Sequence, residues 1–186
     1  LTGVVTQVSA RHGRSRYQGI TVVQLGGDVA QGVPVDSTTL AYIAGFLDGD
    51  GSIFFQIVPR KDYKQKFQIR SSVAFYQKKD YAEILEWLKS IFGVGYIRHR
   101  KTGMSDYTIV ESKEVKKILQ LLQPYSKLKK KQIELGLGIL TKLENKKSDK
   151  DFLEICKLVD NFRELNYSKP WQRFRTRSDR TRRHSR

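Results

Sequence analysis

Two carboxylates set among glycines, Asp48-Gly49-Asp50-Gly51, close a helical run that begins near Leu40. The C-terminal end of a helix already carries partial negative charge and free carbonyls. Carboxylates added there are unfavourable unless a cation sits with them. A hard, oxygen-liganded ion such as Mg²⁺ or Ca²⁺ suits that donor set better than Zn²⁺. Metal ions held between carboxylates can stabilise both the attacking and the leaving oxygen of a phosphodiester hydrolysis. On the chemistry alone, an ordinary amphipathic helix ending in a Gly-Asp turn remains the alternative.

The elements around this stretch must position it. Leu40, Ile43, Ala44 and Leu47 recur at helical spacing. Ala41, Gly45 and Gly49 stand four apart on a neighbouring stripe. A stripe without bulk lets another backbone approach closely. Ser37 or Thr38 can cap the helix. Residues 52–58 form a strand, and residues 66–77 a longer one. In the longer strand Ile69, Ser71, Val73 and Phe75 alternate with Gln68, Arg70, Ser72 and Ala74. A helix over 80–92 carries the apolar stripe Tyr81, Ile84, Leu85, Leu88 and Phe92, with Gly93 as its stop. Residues 96–100 and 105–111 flank a hairpin turn containing Gly103. Helices over 112–122, 127–143 and 149–166 follow. The order is α-ββ-α-ββ-α with two further helices, an α+β arrangement.

Residues 1–36 hold six glycines and little helical periodicity. They are expected to form a poorly structured N-terminal extension to a domain spanning 37–168. Residues 169–186, with seven Arg and one Lys against a single Asp, are expected to form a basic, disordered tail. The chain begins at Leu1 rather than Met, as a fragment or a processed form would, and no secretory apolar segment is evident.

Net charge is +16, and the central domain shares in it. Such a surface favours polyanions. A single cysteine, Cys156, excludes an internal disulfide and a cysteine-based zinc site. Its place in the pattern of Phe152, Ile155 and Val159 makes it a core residue. His12, His99 and His184 are too scattered for a histidine metal motif. No apolar run is long enough to span a membrane.

Residues 40–53, Leu-Ala-Tyr-Ile-Ala-Gly-Phe-Leu-Asp-Gly-Asp-Gly-Ser-Ile, resemble the signature of the LAGLIDADG homing endonucleases. The segments Gly93-Val94-Gly95-Tyr96, Ser105-Asp106-Tyr107, Gln123-Pro124 and Leu128-Lys129-Lys130-Lys131-Gln132 resemble the branch with one motif per chain. The similarity runs over residues 38–166. It implies an αββαββα fold whose four strands make a curved antiparallel sheet lying in the DNA major groove. The one near-repeat of the motif, Leu135-Gly136-Leu137-Gly138-Ile139-Leu140, lacks a following acid and reads as a packed helix face. A homodimer is therefore implied, closed along Ala41, Gly45 and Gly49.

The resemblance implies that Asp50 is the metal carboxylate, aided by the backbone carbonyl of Gly49, with Mg²⁺ as the cofactor. Gln77 and Lys129 match polar pocket residues near the scissile phosphate, and Lys129 could alternatively be one of a solvated charge run. Asp48 is open to a helix-terminal role. Four residues after Gln77 the family often carries a base, but this chain has Tyr81, which puts a cationic role there in doubt.

If the sheet reads bases, residues of one parity point into the groove. Those are Phe54, Gln56, Val58 and Arg60, then Gln68, Arg70, Ser72 and Ala74, then Arg98 and Arg100, and finally Asp106 and Thr108. Tyr63 extends the set from the connection. The implied activity is site-specific cleavage of both strands of a long, near-palindromic DNA target, encoded within an intron. An RNA maturase acting on intron RNA and a catalytically inactive DNA-binding module are the alternatives. The intact Asp50 argues against the last. The resemblance also implies an organellar gene, chloroplast or mitochondrial.

Overall fold

The computed structural model describes residues 20–23 and 33–166. The expectations for the rest of the N-terminal extension and for the basic tail lie outside these residues. Strands β1 (Ile20–Val23) and β2 (Val33–Asp36) pair antiparallel, with Ile20 opposite Asp36.

Helix α1 (Ser37–Asp50) starts one residue earlier than its expected caps allow. Asp36 caps it instead, accepting the Thr39 amide at 2.8 Å and the Thr39 hydroxyl at 2.9 Å. A carboxylate there satisfies free amides and meets the positive end of the helix dipole. Leu40, Ile43, Ala44 and Leu47 are buried, as their spacing predicts. The chain then turns straight into β3 (Gly51–Pro59). Gly51 permits that turn, because a Cβ there would lie 2.6 Å from the Leu47 side chain.

The main sheet is antiparallel in the order β3–β4–β6–β5, with β4 spanning Phe67–Lys78, β5 Tyr96–His99 and β6 Met104–Ile109. One face carries Ile53, Phe55, Ile69, Val73, Phe75, Tyr107 and Ile109, all buried. The helices cover this face. They are α1, α2 (Glu83–Phe92), α3 (Ser112–Leu122), α4 (Lys130–Glu144) and α5 (Asp149–Glu164). Gly136 lets α4 close on the sheet, since a Cβ would meet the Phe55 ring at 3.0 Å. Phe55 packs edge-on against Phe162 of α5, with centroids 4.8 Å apart. Cys156 belongs to the same core.

Two boundaries differ from the periodicity. A 3-10 turn over Lys79–Tyr81 precedes α2, so the helix proper begins later than residue 80. Helix α4 begins at Lys130 rather than 127 because residues 127–129 are held in a turn by Asp48.

Candidate nucleic-acid interface and catalytic centre

The two motif carboxylates separate at the end of α1. Asp50, the last helical residue, is exposed. Asp48 turns into the protein and binds the turn that opens α4. Its carboxylate accepts the Ser126 hydroxyl at 2.6 Å and the amides of Lys127, Leu128 and Lys129 at 2.6, 3.0 and 3.0 Å. The open structural reading of Asp48 is the one the geometry supports: its side chain is fully occupied within the fold. Burial pushes the Asp48 carboxyl up, but the Ser126 hydroxyl and the three amides outweigh it, and its pKa lies below the usual 3.8.

This contact places Lys129. Its ammonium donates to the Asp48 carbonyl at 2.6 Å. Burial lowers its pKa, against the opposing pull of Asp48 and Asp50. A half-buried ammonium coupled to Asp50 is a defined group, not one of a solvated run. Gln77 lines a cleft of about 680 Å³ together with Asp50, Tyr42, Phe46, Asp80, Tyr81, Glu83, Ile84 and Trp87. Gln77, Asp50 and Lys129 therefore converge at one end of α1. Where the resembled family often carries a base, Tyr81 presents a largely exposed ring to this cleft.

Asp48→Ala is expected to destabilise the fold by roughly 2–3 kcal/mol, since it strands a hydroxyl and three amides that bonded a charge. A lowered folded pKa stabilises the native state above the unfolded value, and that contribution is lost as pH falls through the folded one. The gap between wild type and Asp48→Asn in denaturant titrations should hold above pH 3.8 and close below it. An equal gap at every acid pH would contradict the bonding given to Asp48.

The donor set bears on a divalent ion. Asp50 offers hard carboxylate oxygens, and the Gly49 carbonyl is among the last four of α1, which a helix leaves without intrahelical donors. Among the described residues no group of three or more His, Cys, Asp or Glu could hold a metal. Asp50 and the Gly49 carbonyl are the oxygens that the end of α1 offers to such an ion.

The stripe Ala41, Gly45, Gly49 is exposed along α1. A Cβ at Gly45 or Gly49 would meet nothing within 4 Å. Packing among the described residues requires neither glycine.

The outward face of the sheet carries the residues that parity assigns to it. The register sets Phe54 opposite Ser72, Gln56 opposite Arg70, Val58 opposite Gln68, Ala74 opposite Thr108, and Arg98 opposite Asp106. Gln56, Arg70, Arg98 and Arg100 are exposed, and Phe54, Val58, Gln68, Ser72 and Thr108 are partly so. Arg60 and Tyr63 stand exposed at the β3–β4 connection, the guanidinium over the ring and paired with Asp62. Two residues need correction. Ala74 is only 3% exposed and Asp106 only 1%, so neither offers a free side chain to a ligand. Ala74 is walled in by its strand neighbours. Asp106 is spent on Arg98 at 3.2 Å, Arg100 at 2.6 Å and the Thr108 hydroxyl at 3.1 Å. Burial pushes its carboxyl up, but the two arginines and Thr108 bring it below the usual value.

Ser52, Tyr76 and Tyr96 share this face and were missed. Carrying the alternation one step further along each strand would have found them.

A family model described as LAGLIDADG endonuclease matches residues 43–139. The chain is 44% identical over 131 residues to DNA endonuclease I-CreI of Chlamydomonas reinhardtii, covering 70% of this chain and 80% of that protein. It is 38% identical over 125 residues to DNA endonuclease I-CvuI of Chlorella vulgaris, covering 67% and 78%. The fold matches a crystal structure of the homing endonuclease I-CvuI in complex with the I-CreI target in the presence of 2 mM Mg, its DNA not cleaved. That match has a TM-score of 0.69 at 36% identity and covers 73% of this chain and 86% of the other.

Proposed function

Because the chain belongs to the LAGLIDADG endonuclease family, we propose that it is a site-specific homing endonuclease that cuts both strands of DNA as a homodimer, with a divalent metal ion such as Mg²⁺. The observation that carries this reading is the exposed Asp50 at the end of a helix whose outer stripe holds only alanine and glycine. One protomer has one such carboxylate, and two strands require two. Pairing two α1 helices along Ala41, Gly45 and Gly49 sets the two Asp50 side by side at the junction of two sheets.

Each sheet then follows one half of the target. Gln56, Gln68, Arg70, Arg98 and Arg100 present donors that suit base edges in the major groove, arginine to guanine and glutamine to adenine. The net positive charge adds phosphate affinity that weakens with salt.

At the centre, Asp50 and the Gly49 carbonyl would hold the ion, with oxygens from the second copy and from the DNA. When bound, such an ion supplies Lewis acidity at the scissile phosphate and favours ionisation of the attacking water. Lys129, held by Asp48, brings positive charge towards the phosphate that gains negative charge on attack. Gln77 offers amide groups that can orient water in the adjoining cleft.

Incubation with the I-CreI target and with a library of near-palindromic duplexes tests the activity directly. Double-strand ends should form with Mg²⁺ and none with EDTA. Sequence-selective binding without cleavage in any divalent ion would contradict it.

A further inference from the structure

Tyr76 lies on the outward face of β4, one pleat beyond Ala74, directly opposite Asp106 of β6. The Arg100 guanidinium carbon stands 5.7 Å from the centre of its ring, within reach of a cation–π contact. Arg100 is thus held from two sides, by the Tyr76 face and by Asp106, which accepts its Nε–H at 2.6 Å.

The neighbouring Arg98 is bound differently. It gives both Nε and Nη2 to the same carboxylate, at 3.2–3.3 Å. A guanidinium has five N–H donors in a fixed fork. Arg100 spends one on Asp106 and keeps both terminal amino groups for a ligand. Arg98 spends its Nε–Nη2 edge, and its Nη1–Nη2 end also stays outward, so the two arginines do not differ in having a terminal pair. A bidentate contact to the O6 and N7 acceptors of guanine needs two donors side by side, and Arg100 retains its terminal pair for it.

We propose that Tyr76 is a positioning residue for sequence recognition, holding the Arg100 guanidinium against its ring so that the terminal pair meets guanine. This rests on the reading of the sheet as the DNA interface. The two arginines differ in that, among the described residues, only Arg100 of the pair stands over a ring. Arg100→Ala should remove discrimination at one base pair of each half-site by about 5- to 150-fold, and Arg98→Ala should act at a different position. Tyr76→Ala should lower discrimination at the Arg100 position alone, by about two- to fivefold. Tyr76→Phe keeps the ring and should keep the profile.

The test is selection of bound duplexes from a randomised half-site library by wild type and the four variants, with melting curves as a control on folding. The proposal stands if Tyr76→Ala and Arg100→Ala relax the same position and Tyr76→Phe relaxes none. It falls if Tyr76→Ala relaxes a different position, which would make Tyr76 itself a reader. It also falls if the variant weakens every sequence alike, or if it relaxes the position that Arg98→Ala relaxes. A wild-type chain that selects no sequence at all would overturn the DNA-interface reading and this proposal together. A wild-type chain that selects, with Tyr76→Ala matching it, overturns this proposal alone.

Discussion

Asp50→Asn is expected to abolish double-strand cleavage while leaving DNA binding intact. Asp50 is exposed at the end of α1, and among the described residues its side chain has no hydrogen-bond or ion-pair partner, although its charge acts on the Lys129 ammonium. Asparagine keeps its shape and removes its charge, so the protomer should melt as wild type does. The groove face lies on other elements and is untouched. Loss of several kcal/mol of charge stabilisation at the scissile phosphate corresponds to a rate loss of about a thousandfold or more. The checks are single-turnover cleavage in Mg²⁺ beside equilibrium binding to the same duplex. Cleavage within tenfold of wild type would remove Asp50 from the catalytic centre. The contrast with Asp48 is sharp. Its loss should appear first in stability, because its oxygens bind the α4 turn.

Gly45→Leu should leave the single chain folded and split the proposed dimer. Nothing among the described residues lies within 4 Å of a Cβ at this position. Leucine is also the better helix former, by roughly 0.5–1 kcal/mol in a helix interior. A stable or slightly more stable monomer is the expected product. On the outer surface of α1, however, four added carbons must fit between two closely approaching helices. Sedimentation should report half the wild-type mass, and cleavage should fall with it, since each DNA would meet one Asp50. A full-sized dimer from this variant would place the interface elsewhere on the molecule.

The periodic parts of this chain were legible from its sequence. Spacings of three and four located the buried faces of the helices, except that Tyr81, counted in the α2 stripe, lies in the preceding 3-10 turn and is exposed. The alternation in β4 assigned Gln68, Arg70 and Ser72 to one face and Ile69, Val73 and Phe75 to the other. Such patterns are local: a helix or strand exposes its period within a few residues. The convergence of Asp50, Gln77 and Lys129 was accessible only through resemblance to a family, because they sit on three elements distant along the chain.

What lay beyond the sequence shares one physical cause. A carboxylate's role depends on the donors that reach it, and those donors come from anywhere in the chain. Asp48 and Asp50 stand two residues apart in one motif, yet Asp48 is satisfied by groups 78 to 81 residues away, while Asp50 is left to solvent. Asp106 has the parity of a base reader, but the strand pairing that sets it beside two arginines buries it as their anchor. The start of α4 likewise followed from Asp48 and not from propensity. Residue type and spacing determined the elements, their faces and the stripe of small residues on α1. Tertiary packing decided which polar groups would be consumed within the fold and which would remain for a ligand, because hydrogen bonds are saturable and only the assembled structure shows which are already made.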